Sequence, residues 1–177
     1  EESGLPEGWT YTNLEKIAKI NAKSISSSFD KDIEYIDISS VSTKSIDYTT
    51  RYPVKEAPGR AKRIVTHGDI IWSCVRPNRK SYAVIWNPEE NTIASTGFTV
   101  ISPTIVPTSF LYQALGTKQF VGYLTNRATG AAYPAVKSVD FKEYDISLPP
   151  KSLINKFDEH AKNYIDMIWN LRQQNEK

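Results

Sequence analysis

The sequence predicts a mixed α+β fold, a compact β-rich domain with short helices followed by a long amphipathic C-terminal helix. Three observations point there. Short runs rich in β-branched and aromatic residues recur between residues 34 and 103, separated by turn-forming Gly, Pro and Asn. Helical spacing is confined to 106–130 until the double proline Pro149-Pro150. Beyond it, Ile154, Phe157, Ala161, Tyr164, Ile168 and Leu171 follow one another at intervals of 3, 4, 3, 4 and 3, a heptad series. The expected division is therefore a domain over 1–150 and a helix within 151–177. A chain of 177 residues accommodates one domain and an appendage.

Taken in order, "EYIDISSV" (34–41) reads as a strand of imperfect alternation. The polar stretch 42–56 reads as an extended loop with room for a short hairpin, and loops of that length are usually functional or disordered. "RIVTHGDIIWSCV" (63–75) holds two apolar runs around a turn at His67-Gly68-Asp69. "SYAVIW" (81–86), closed by Asn87-Pro88, and "FTVISP" (98–103) are further strands. In 106–130 two short helices are expected, the first capped by Thr108 or Ser109 and ended by Gly116, with Gly130 beyond the second. "YDISLPP" (144–150) is the last strand, because two prolines cannot continue a ladder. Over 153–174 the final helix, capped by Ser152, would run about 33 Å at about 1.5 Å per residue. Its apolar side, widened by Ile165, Met167 and Trp169, suits packing against a helix outside the domain, and packing on its own domain stays open.

Little in the chain suggests catalysis. Its single cysteine, Cys74, precludes an internal disulfide and fits a reducing, cytoplasmic setting. Cys74 lies in an apolar strand pattern and reads as a core residue. His67 belongs to a turn and His160 to the polar side of the last helix. No clustered Cys/His ligands for a metal and no Gly-rich phosphate loop are visible, so no cofactor is expected. Asn87-Pro88-Glu89-Glu90 lacks the aromatic residue a base-flipping adenine methyltransferase needs, and Asp140-Phe141-Lys142 lacks an upstream acidic partner for a metal-dependent nuclease. The chain opens "EESGLPEGW", with no leader-like run and no initiator Met, as expected of a trimmed or excised chain. No apolar run approaches a membrane span.

The formal net charge of +2 is unevenly distributed. Residues 1–50 hold five Lys/Arg against nine Asp/Glu, residues 51–80 hold eight against two, and residues 81–177 hold nine of each. The excess of +6 in 51–80 is carried by cations that include Arg60, Lys62, Arg63, Arg76, Arg79 and Lys80. Such a segment presents a strong local field to a polyanion, or merely solvates a loop; charge alone leaves both open.

The order of five segments adds to this reading. "LPEGWTYTNLEKIAKI" (5–20), "YIDISSV" (35–41), "APGRAKRIVTHGDIIWSCVRPN" (57–78), "IASTGFTVISP" (93–103) and "GAAYPAVKSVDFKEYDISLPP" (130–150) together resemble a target recognition domain of the DNA specificity subunit of Type I restriction–modification systems. The resemblance covers nearly the whole chain. It implies a non-catalytic module that reads one half of a split double-stranded DNA target and directs adenine methyltransferase subunits and, in the full complex, an ATP-driven restriction subunit. The last helix resembles that family's helical spacer, whose partner would be a second recognition domain or a second copy in a homodimer. A typical subunit carries two recognition domains and two spacers; this chain holds one of each.

On that resemblance Arg60, Lys62, Arg63, Arg76, Asn78, Arg79 and Lys80 are expected to face DNA. Lysines would neutralise phosphates, while arginine forks and Asn78 could read base edges. Arg76 has a competing role, pinning a turn by bonding backbone carbonyls. Tyr82 suits the core better than the surface. "TGAAYPAV" (129–136), with Tyr133 and Lys137 at its edge, is either a DNA-facing loop or one packed on the sheet. Ile154, Phe157, Ala161, Tyr164, Ile168 and Leu171 are the expected helix–partner interface. The alternative is a helix-mediated protein-interaction module with no direct DNA contact.

Overall fold

The computed structural model describes residues 4–175; the acidic residues at the very start of the chain and the last two residues lie outside it. In chain order the elements are β1 (Thr10–Asn13), α1 (Leu14–Ile17), β2 (Ala18–Ile20), β3 (Ile33–Ile36), β4 (Val41–Ser42), β5 (Ser45–Ile46), β6 (Thr50–Tyr52), β7 (Ala61–Ile64), β8 (Ile70–Ser73), β9 (Tyr82–Val84), β10 (Thr92–Ser95), β11 (Phe98–Pro103), α2 (Thr108–Ala114), α3 (Lys118–Arg127), α4 (Ser138–Lys142), β12 (Asp145–Leu148) and α5 (Lys151–Asn175). Two four-stranded sheets dominate, ordered β6-β3-β10-β7 and β2-β11-β8-β9, while β4 pairs with β5 and β1 with β12. In the first sheet β10 runs parallel to β3 and antiparallel to β7; the second is antiparallel throughout.

The second sheet is the middle layer, and its strands are apolar on both sides for that reason. On β8, Ile70 and Trp72 join the cluster shared with the helices, while Ile71 joins the cluster shared with the first sheet. Trp72 stacks on Tyr82 with centroids 5.1 Å apart, meets Phe120 edge-on at 5.5 Å and donates Nε1–H to the Leu115 carbonyl at 3.2 Å. Tyr82 is thus a core residue, as its strand setting suggests. The turn between β7 and β8 needs Gly68, whose φ is +87°, and is tied by the buried Asp69 carboxylate, which accepts from the Thr66 N–H at 2.8 Å and hydroxyl at 3.1 Å.

Several local expectations are corrected. The 34–41 strand stops at Ile36, because the Asp37 carboxylate accepts from the Ser39 N–H at 3.0 Å and starts a single 3-10 turn over Ile38–Ser40. The stretch 42–56 holds the expected short hairpin, β4–β5, and adds β6 and a turn at Val54–Glu56. Thr108 does not cap α2 but lies inside it, its hydroxyl donating to the Gly68 carbonyl at 2.9 Å; Thr117 instead caps α3 through the Phe120 N–H at 3.3 Å. Ser152 is likewise inside α5, which begins directly after Pro150.

One face of α5 docks on its own domain. Ile154 and Ile165 are buried there. The Ser109 hydroxyl donates to Asp158 at 2.6 Å, the Trp86 Nε1–H to Asp166 at 2.7 Å, and Arg172 to the Lys44 carbonyl at 3.0 Å. Among the described residues no helix is long and apolar enough to cross a membrane.

Candidate nucleic-acid interface

Four backbone hydrogen bonds gather the basic segments at one end of the molecule. The Thr96 N–H bonds the Arg60 carbonyl at 2.8 Å, and the Cys74 N–H bonds the Gly97 carbonyl at 2.8 Å. The Val136 N–H bonds the Cys74 carbonyl at 2.9 Å, and the Arg76 N–H bonds the Pro134 carbonyl at 2.7 Å. The 95–97 tip between β10 and β11 therefore bridges Arg60 on one sheet to the 74–80 segment on the other, and the 129–137 loop closes over the latter. Thr96, exposed at that tip, was not legible as part of the site, although its Thr-Gly pair marks a turn.

The cations gathered there are not equivalent. Arg60 is exposed in the turn entering β7. Lys62 is exposed at a bulge: Ala61 pairs with Ser95 and Arg63 with Ala94, so Lys62 has no partner on β10. Arg63 is half-buried, and its Nε is the buried side-chain nitrogen without a hydrogen-bond partner among the described residues. Its charge acts on Cys74, whose thiol is nonetheless pushed up by burial, against the opposing hydrogen bond with Thr99 at 3.2 Å.

Arg76 is a brace. Its φ is +49°, its Nη2 donates to the Ala132 carbonyl at 3.1 Å and its guanidinium lies 4.8 Å from the centre of the Tyr133 ring. This is the internal role, bonding backbone carbonyls. Between Arg76 and Lys80, both left-handed, the single turn Pro77–Arg79 holds Asn78 and Arg79 out to solvent, with Lys80 half-buried. Tyr133 is 70% exposed. The loop carrying it is closed by reciprocal bonds between Thr129 and Ala135 at 3.0 and 2.9 Å, with Gly130 at φ +107°. Lys137 is exposed just before α4, and its N–H donates to Asp140 at 2.7 Å. Asp140 also pairs with Arg127 at 3.7 Å, so the Asp140-Phe141-Lys142 triplet serves as the start of a helix, with Phe141 fully buried.

Of the expected helix interface, Phe157, Tyr164, Ile168 and Leu171 are exposed, joined by Leu153 and Met167. Ile154 is a correction: it is buried in the domain's own core, so Leu153 takes its place at the head of the exposed stripe. Ala161 is half-buried between the two faces, and His160 is exposed.

His67 and Cys74 stand at opposite ends of β8, which removes the pair as a catalytic dyad. His67 Nδ1 accepts the Asn87 N–H at 3.1 Å, and its ring lies 4.2 Å from that of Trp86. Among the described residues no three His, Cys, Asp or Glu side chains come together as a metal site.

Residues 6–158 match the family described as the Type I restriction modification DNA specificity domain. Over 107 residues the chain is 29% identical to the Type I restriction enzyme HindI specificity subunit of Haemophilus influenzae, a stretch covering 58% of this chain and 23% of that one. The HsdS subunit structure from Thermoanaerobacter tengcongensis superposes on 98% of this chain and 46% of its own, with a TM-score of 0.77 at 23% identity. A structure described as underlying complex assembly and conformational transition of the type I R-M system covers 96% of this chain and 45% of its own, with a TM-score of 0.78 at 26% identity. The chain thus spans less than half the length of each of these relatives.

Proposed function

The chain belongs to the Type I restriction modification DNA specificity domain family, and from that premise we propose that it is a non-catalytic module binding double-stranded DNA sequence-specifically. It reads one half of a bipartite target and directs adenine methyltransferase subunits and a restriction subunit to it, in the cytoplasm. Residues 1–150 form the recognition domain, and 151–177 the spacer that meets a second recognition domain or a second copy of the chain.

The observation that carries this reading is the gathering of Arg60, Lys62, Asn78, Arg79, Lys80, Tyr133 and Lys137 at one end by the 95–97 tip and the loop bonds. Exposed Lys and Arg there supply phosphate neutralisation, and the rigid turn around Asn78 and Arg79 suits contact with base edges. Arg76 belongs to the same surface as a support of the Tyr133 loop, and half-buried Arg63 lies beside Lys62 on β7.

Titration of a randomised duplex by fluorescence anisotropy at several salt concentrations tests it, beside Arg60→Glu/Lys62→Glu. Steeply salt-dependent binding that the variant loses is expected; binding unchanged in the variant would place the surface elsewhere. The exposed stripe on α5 favours the second reading, a helix-mediated interaction module without DNA contact. That reading prevails if neither protein binds DNA at low salt.

A further inference from the structure

A cleft of about 750 Å³ lies between β2, the 64–69 segment and the ends of α2 and α4. Lys19, Lys23 and Lys142 line it together with Thr66, Ser102 and Thr104, of which the Thr66 hydroxyl is already bonded to Asp69. None of the three lysines has an ion-pair or hydrogen-bonded side-chain partner among the described residues. Two carboxylates also border the cleft, Glu15 and Asp69, and Asp69 is buried and already engaged by Thr66.

The topology sets these lysines in line with the basic end. Strand β2 is one edge of its sheet and β7 one edge of the other. The chain leaving β2 turns back along β7: the Ile64 N–H bonds the Lys23 carbonyl at 3.2 Å, Ser24 bridges to Arg63, and the Ile25 N–H bonds the Lys62 carbonyl at 3.0 Å. Lys19 sits farther along, opposite Ser102 on β11. Exposed cations thus follow the seam between the two sheets in the order Arg60, Lys62, Lys23, Lys19. Successive exposed positions along a strand are about 6–7 Å apart, whereas one DNA strand carries a phosphate every ~3.4 Å of helix axis.

We propose that this cleft is a second phosphate track, in which Lys19, Lys23 and Lys142 hold the DNA backbone beyond the end that reads bases. The inference rests on the DNA-binding reading above and extends it to a surface that the charge distribution along the chain conceals. The ligand is the phosphodiester backbone because the cleft is open, is lined by donors and continues from Lys62. These contacts carry no sequence information; they fix orientation and register on the duplex.

The test is the same anisotropy series on the full chain with Lys19→Gln/Lys23→Gln/Lys142→Gln, and with Lys19→Gln/Lys23→Gln because Lys142 is half-buried. Thermal unfolding of each variant is followed alongside. Each lost phosphate contact lowers the slope of log affinity against log salt by about 0.9, so falls of about 2 to 3 and about 2 are expected, with at least tenfold weaker binding at low salt. Slopes equal to the wild type, while Arg60→Glu/Lys62→Glu abolishes binding, would overturn the track and leave the DNA reading standing. Unchanged slopes together with lost binding of polyglutamate would assign the cleft to an acidic protein segment and equally overturn it. Absence of DNA binding by the wild type would remove both.

Discussion

Arg76→Ala separates a brace from a phosphate contact. The substitution removes a charged hydrogen bond to the Ala132 carbonyl and a guanidinium held 4.8 Å from the Tyr133 ring centre, but keeps the Arg76 N–H bond to Pro134. A hydrogen bond from a charged donor is worth about 1.5–3 kcal/mol, and the lower end applies at this half-exposed position. Cation–π contact at an exposed ring adds about 0.5–1 kcal/mol. The loop over 129–136 should therefore lose about 2 kcal/mol of local stability, equivalent to roughly thirtyfold more frequent opening. Hydrogen exchange reads this directly at the Ala135 and Val136 amides, which are bonded to Thr129 and Cys74. DNA affinity falls as the Tyr133–Lys137 edge loosens, but the salt slope stays as in the wild type, because no phosphate contact has gone. Arg76→Lys should resemble Arg76→Ala more than the wild type, since an ammonium keeps the charge and loses the planar fork. A slope reduced by about 0.9 with unchanged exchange at Ala135 and Val136 would refute the brace and make Arg76 a phosphate ligand.

Ile168→Asp/Leu171→Asp, on exposed positions of α5, should shift unfolding by no more than about 0.5 kcal/mol while abolishing association through the helix in sedimentation; persistent association would move the interface off this stripe. Ile165→Asp, one turn away on the buried face, should instead cost at least ~3 kcal/mol of stability. In alkali, Tyr35, Tyr82, Tyr112, Tyr123 and Tyr144 are all held above the ordinary tyrosine value of 10.0 by burial. The folded chain then keeps protons that the unfolded chain releases, so stability is intact below pH 10.0 and falls as pH rises through the folded values. Phenolate absorbance from these rings should rise together with the loss of circular dichroism; ionisation at the ordinary value in a still-folded chain would contradict their burial.

The elements legible in advance are those whose signal is local and long enough to repeat. β8, β9, β11 and β12 each pair an apolar run with a turn residue, and α5 carries about two and a half heptads of spacing after a double proline. β1, α1 and β2 were not legible, because three elements share the eleven residues 10–20 and none is long enough to show a period. The 34–41 strand was overread because a single carboxylate, Asp37, competes with the ladder for the backbone. Charge density along the chain marks the 51–80 segment, but the orientation of each cation depends on pairings far away in sequence. Lys62 projects because of a bulge against β10, and Arg76 turns inward because the 129–136 loop offers its carbonyls. Lys19 and Lys23, on which the proposed phosphate track rests, were hidden by their acidic neighbours in residues 1–50, whose net charge is −4.

The last helix shows how one period can serve two surfaces. Ile154, Asp158, Ile165 and Asp166 face the domain, Ala161 lies between the faces, and the exposed stripe of Leu153, Phe157, Tyr164, Ile168 and Leu171 lies beside them. Apolar burial alone would let such a helix roll about its axis, because neighbouring apolar faces are nearly interchangeable as surface. The polar contacts remove that freedom. Ser109 meets Asp158 and Trp86 meets Asp166, roughly two turns apart, and Arg172 fixes the far end on the β4–β5 hairpin. Charge-assisted bonds tolerate little rotation, so the direction in which the stripe faces is set by the domain. Whatever helix packs on that stripe is therefore held at a fixed angle to the basic end, which on the proposed function would keep two recognition domains at constant separation.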